Sequence, residues 1–170
     1  ENLGFADGFF QNDRANQIEI IKMIRKFKPE IVLCNSIDDR HIDHPKGSKL
    51  VSDACFLSGL RKIETKLEEN IQDAWRPKLV YHYIQWKNIE PDFVVEVNDF
   101  IEKKVKAVMA YSSQFYNPDS KEPISPIATK NFEESITYRA RDLGRLINTE
   151  YAEGFTTERF VAVTSLDKLI

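Results

Sequence analysis

The densest chemistry in the chain lies between Asp38 and His44. The run Asp38-Asp39-Arg40-His41-Ile42-Asp43-His44 holds two of the three histidines and three carboxylates. His41 and His44 are three apart, so one helical turn at the end of a loop brings both imidazoles to one side. Neutral imidazole suits zinc, and a nearby carboxylate can fix its tautomer or raise its basicity. A structural alternative stands beside this: both histidines cap the next helix or form a solvated polar loop. A catalytic zinc takes three protein ligands plus water, and these residues alone fall short. His82, in Tyr81-His82-Tyr83, reads more readily as a satisfied core histidine than as a ligand. Cys34 ends an Ile-Val-Leu run and reads as packing.

The elements that must position this loop follow from patterning. Asn12 or Asp13 can cap a helix with Ile18, Ile21, Ile24 and Phe27 on one face, and Pro29 stops it. Glu30–Cys34 is a short apolar run of the kind found in parallel strands covered on both faces. The polar loop Ser36–Pro45 leads to a helix over 46–60, with Leu50, Val51, Ala54, Cys55 and Leu57 inward. Strands are expected at 78–84, 93–97 and 159–164. Helices are expected after Asn98 and over 132–147. Gly4 and Gly8 among Leu3, Phe5, Phe9 and Phe10 suggest a loop packed on a core. This alternation implies an α/β fold, a mostly parallel sheet flanked by helices, in a single domain over residues 1–170. In open α/β sheets ligands sit beyond the carboxyl ends of the strands, which is where the histidine loop falls.

Composition narrows the functional classes. The 170 residues are 42% hydrophobic and 30% charged, an ordinary globular balance, and the formal charge is -3. That acidic excess argues against a nucleic-acid surface. No apolar run approaches the ~18–20 residues of a membrane span, and no signal peptide is recognisable. Cys34 and Cys55 sit in apolar contexts and read as buried free thiols of a reducing compartment, hence a cytoplasmic expectation.

Several motifs recur in a familiar order. Asp39-Arg40-His41-Ile42-Asp43-His44 is followed by Gly47-Ser48-x-Leu50-Val51 and by Asp53-Ala54-x-Phe56-Leu57-Ser58-Gly59-Leu60. Asn2-Leu3-Gly4-Phe5-Ala6-Asp7-Gly8, Arg76-Pro77, Tyr111-Ser112-Ser113-Gln114-Phe115 and Tyr151-Ala152-Glu153-Gly154-Phe155 accompany them. Together they resemble the PIG-L/LmbE-like zinc deacetylases, and more narrowly the deacetylases of bacillithiol biosynthesis. The resemblance implies a Rossmann-like fold and one Zn2+ held by two histidines and an aspartate, with an adjacent aspartate as general base. Two of those ligands and the base come from a His-Pro-Asp-Asp motif that this chain lacks. The chain is therefore expected to be the larger, C-terminal part of the family domain, without its first strands and with one of the three zinc ligands.

By this carry-over His44 is the metal ligand. His41 stabilises the oxyanion or protonates the leaving amine, and Asp43 orients His41. Ile42 departs from the commoner Pro at that position. Arg40, Asp39, Arg76 and Asp7 are candidate substrate contacts, each with a bland alternative: a solvated ion pair for Arg40 and Asp39, surface chemistry for Arg76, a turn for Asp7. Tyr116 and Tyr138 are candidates for the oxyanion donor. Trp75 and Trp86 read as core or interface anchors, and the stretch Pro118–Pro126 as a lid or a subunit contact. The implied reaction is removal of the N-acetyl group from an N-acetylglucosamine conjugate, N-acetylglucosaminyl malate, by a homo-oligomer. The competing expectations are a deacetylase of another N-acetylated sugar and a catalytically silent binding module.

Overall fold

The computed structural model describes residues 1–121 and 123–169. The chain divides into two compact units, one of residues 1–92 with 155–162, the other of 93–154 with 163–170. In the first, α1 (Arg14–Phe27) begins where Asp13 Oδ1 accepts the Asn16 amide at 2.9 Å, and it ends at Lys28 in the left-handed region, φ 46°. β1 (Ile31–Cys34), α2 (Asp43–Ser58), the hairpin of β2 (Lys66–Leu67) and β3 (Asn70–Ile71), and β4 (Leu79–Tyr83) follow. β1 and β4 run parallel, Cys34 opposite His82. Residues 155–157 of β6 (Ala152–Thr157) pair antiparallel with Tyr81–Tyr83. The second unit holds β5 (Phe93–Glu96) beside β6, with α3 (Ile101–Met109) and α4 (Lys130–Gly144). The α/β class and the parallel pair at the histidine loop are as the patterning implies, within a sheet that is mixed. Among the described residues no helix is long and apolar enough to cross a membrane.

The core of the first unit forms where α1 crosses α2. Ile21, Ile24, Ala54 and Cys55 are buried, with Ile18, Val32, Val51, Leu57, Trp75 and Val80 packed around them. Apolar spacing of three and four residues on both helices produces this contact. Arg25 is buried beside it without a carboxylate partner among its hydrogen bonds. Its guanidinium instead donates to the carbonyls of Ser58, Leu60 and Ile63 and to Thr65 Oγ1, at 2.6–3.0 Å. The cation thus sits at the negative end of the α2 dipole and satisfies carbonyls that the helix leaves open.

Four expectations are corrected. The last strand is Ala152–Thr157, not 159–164: Phe160 is 98% exposed, whereas the small residues Ala152 and Gly154 fit a buried strand. Counting apolar residues favoured the wrong segment. β1 is not covered on both faces. It ends the strand order, and Ile31 and Leu33 are more than half exposed while Val32 and Cys34 face the core. Asn98 does not cap α3; its side chain bonds the Tyr151 amide and Thr149 Oγ1. Finally, α2 starts at Asp43, so His44 lies in its first turn rather than in the preceding loop.

Replacing Arg25 by Met keeps the aliphatic stem but removes all four of these hydrogen bonds. We expect a loss of about 2–4 kcal/mol in urea unfolding, with native circular dichroism below the transition.

Candidate active site

The site is built from two loops that leave the carboxyl ends of the parallel pair β1 and β4. The loop after β1 (35–42) is bound to the loop after β4 (84–92) at several points. Gln85 Oε1 accepts from Asn35 Nδ2 at 3.2 Å and from the Ser36 amide at 3.4 Å. Lys87 Nζ donates to Asp38 at 2.7 Å, and the Arg40 guanidinium stacks over the Trp86 ring, 4.9 Å from its centroid. At the centre is Asp39, whose side chain is 1% exposed. Its Oδ1 accepts the amides of Arg40 (2.6 Å) and His41 (3.4 Å), and its Oδ2 accepts the Trp86 amide at 2.8 Å. Burial alone would push this carboxyl up. The amides of Trp86 and Arg40, with His44 close by, outweigh burial and hold it below the ordinary aspartate value.

His41 and His44 lie side by side, ring centroids 5.3 Å apart and planes tilted by 34°. The Asp43 amide donates to His41 Nδ1 at 3.3 Å. In the neutral ring that bond leaves the proton on Nε2, making His41 a donor there. His44 Nδ1 is buried and 3.3 Å from Asp39 Oδ1, yet no aligned hydrogen bond forms between them.

Asp43 is placed differently from its expected role. Its Oδ2 accepts the Gly8 amide at 2.6 Å and its Oδ1 accepts Lys46 Nζ at 3.1 Å. Burial again opposes ionisation, but the Gly8 amide, Lys46 and the adjoining Asp7 carboxyl hold Asp43 below its usual value. Its carboxylate therefore pins the 7–9 turn onto the start of α2, and its backbone amide is what orients His41. Gly8 has φ 75°, a conformation that suits glycine, and Lys46 Nζ also reaches its carbonyl at 3.2 Å. Asp7 thus belongs to a turn docked beside the histidines.

Arg76 lies elsewhere. It donates to the Phe56 carbonyl at 2.9 Å and stacks on the Phe56 ring, at the far end of α2. From His44 to Phe56 the helical rise is roughly 18 Å. Tyr116 and Tyr138 belong to the second unit, where Tyr138 is exposed. His82 is a buried structural node: Nδ1 is 2.8 Å from Ser48 Oγ, 3.1 Å from the Asn35 carbonyl and 3.2 Å from Cys34 Sγ, while Nε2 is 3.0 Å from Glu158. Sequence reasoning missed the burial of Asp39 and the part played by Gln85. The available signal was an aspartate able to accept amides one and two residues on, as Asx turns do.

A resident zinc needs three donors, and no group of three or more His, Cys, Asp or Glu among the described residues is placed to hold a metal. The residues present fit one ligand position, His44, whose Nδ1 is turned inward and whose ring is partly exposed.

No known protein-family profile matches the sequence. Among the solved structures that match, three are similar over almost all of the chain. The conserved protein TT1542 of Thermus thermophilus is 27% identical with a TM-score of 0.81 over 96% of this chain and 67% of that one. An N,N'-diacetylchitobiose deacetylase of Pyrococcus horikoshii, in complex with an inhibitor, is 22% identical with a TM-score of 0.73 over 99% and 61%. The 4-carboxy-2-hydroxymuconate hydratase GalB of Pseudomonas putida KT2440 is 19% identical with a TM-score of 0.67 over 94% and 64%. The chain thus spans about two thirds of the length of the structures it matches and has their Rossmann-like α/β fold.

Burial pushes the thiols of Cys34 and Cys55 up to about 12. Both are expected to resist iodoacetamide at pH 8 in the native protein and to react promptly in denaturant, as mass spectrometry would record.

Proposed function

We propose that this chain is part of a metal-dependent N-deacetylase acting on an N-acetylglucosamine conjugate. The observation that carries the reading is the His41–His44 pair at the carboxyl end of a parallel strand pair, the position that hosts chemistry in open α/β sheets. The fold shared with a chitobiose deacetylase supports it. Amide hydrolysis needs an activated water, a polarised carbonyl and a proton for a poor amine leaving group. A bound zinc would supply the first two. His44 is one of its ligands, and the resemblance assigns the others to a His-Pro-Asp-Asp motif that this sequence does not contain. His41, with its Nδ1 accepting the Asp43 amide, presents an Nε2 proton to the oxyanion or the departing amine. The exposed Ile31 and Leu33 on β1 lie on a face that a further helix of such a fold would cover.

The substrate we favour is N-acetylglucosaminyl malate, in a cytoplasmic, homo-oligomeric enzyme of bacillithiol biosynthesis. Its support is the motif order together with a cation at the rim: Arg40 is exposed, stacked on Trp86, and suited to a carboxylate. Arg76, held at the other end of α2, is not given this role.

The test uses the full-length natural protein. Zinc content near one equivalent and acetate release from N-acetylglucosaminyl malate are expected. His44→Ala abolishes both, whereas His41→Gln retains zinc and lowers kcat by about 10²–10⁴. Arg40→Ala raises KM for the malate conjugate about tenfold more than for N-acetylglucosamine. Full-length protein that binds no metal and leaves both substrates intact overturns the deacetylase reading. Equal effects of Arg40→Ala on the two substrates overturn the malate assignment alone.

A further inference from the structure

We infer that Asp39 is the positioning residue that sets the tautomer of His44 and aims its Nε2 lone pair outward. The inference deepens the proposed metal site and rests on that reading for its function, though not for its geometry. His44 Nδ1 is sealed from solvent and faces Asp39 Oδ1 at 3.3 Å. A lone pair turned toward an ionised carboxylate would be repelled, so the neutral ring carries its proton on Nδ1 and its lone pair on Nε2. The carboxylate cannot swing away to relieve the contact, because amides from two different loops hold both of its oxygens. Three backbone N–H groups converge on it, a donor set that matches a carboxylate. The adjacent ring is the reverse: His41 Nδ1 accepts an amide proton and keeps its own proton on Nε2. The end of the loop and the first turn of α2 therefore present two imidazoles with opposite Nε2 character, an acceptor at His44 and a donor at His41. A carboxylate behind a ligating imidazole fixes ring orientation and raises basicity.

Asp39 is not argued to touch substrate, so its test reads more than activity. In metal-free full-length protein at pH 8, long-range 15N–1H NMR of the histidine side chains is expected to show His44 protonated on Nδ1 and His41 on Nε2. Asp39→Asn is expected to move His44 towards the Nε2-protonated form and to weaken zinc binding by about 10–100-fold in chelator competition. Asp38→Asn removes the same charge from an exposed carboxylate paired with Lys87, and is expected to leave both readouts at wild-type values. An Nε2-protonated His44 in the wild-type protein overturns the inference without any variant, so a failure of Asp39→Asn to fold does not shelter it. Wild-type tautomer and zinc affinity in a folded Asp39→Asn protein overturn it equally. If the wild-type protein binds no zinc but shows the Nδ1 tautomer, the deacetylase reading fails while the positioning role of Asp39 stands.

Discussion

The geometry of the candidate site depends on one buried carboxylate and the amides that hold it. Stripping an ionised aspartate of water is costly unless hydrogen bonds replace its hydration. Asp39 meets that demand with amides of Arg40 and His41 from its own loop and of Trp86 from the neighbouring one. Each loop alone would leave an oxygen unsatisfied, so burial of Asp39 requires both to be in place. That requirement explains why the further ties between them, at Asn35, Ser36, Asp38 and Arg40, lie so close together. The two reactive-type histidines are attached to this clasp and inherit its rigidity.

Beneath the clasp a second polar node fastens the site to the sheet. His82 on β4 touches Ser48 of α2, the end of β1 at Cys34 and Asn35, and Glu158 just past β6. A buried imidazole with both nitrogens occupied has no lone pair to offer a metal or a substrate, which distinguishes it from His44. The start of α2 is fixed a third time, from the amino-terminal side, where the Asp43 carboxylate takes the Gly8 amide and Lys46. The first turn of α2 is thus tied to the strands on one side and to the 7–9 turn on the other.

The same fold serves a deacetylase and a hydratase among the structures this chain matches, so architecture does not choose the reaction. What can choose it is the protonation pattern of the site and the charge at its rim. Two imidazoles with opposite Nε2 character suit a reaction that needs both a ligand or acceptor and a proton donor within one small space. Arg40, exposed and stacked on the Trp86 indole, is the candidate for that charge.

Local sequence determined a good deal. Apolar spacing placed α1 and the inward face of α2, because a helix buries residues three and four apart whatever surrounds it. The run at Ile31–Cys34 marked a strand, and the histidines after it marked the loop where ligands bind. Tertiary structure decided what depends on partners far along the chain. Asp39 reads as a substrate contact or a solvated ion pair until Trp86, forty-seven positions away, supplies an amide. Asp43 reads as a partner for His41 until the 7–9 turn claims its carboxylate. Arg76 reads as a substrate contact until α2 sets it at the other end from His44. β6 went unread because Ala152 and Gly154 gain their place from strand pairing, whereas the apolar Phe160 is left in solvent. Side-chain type announces what chemistry is available, but hydrogen bonds closed over long sequence separations determine which atom of each group remains free to perform it.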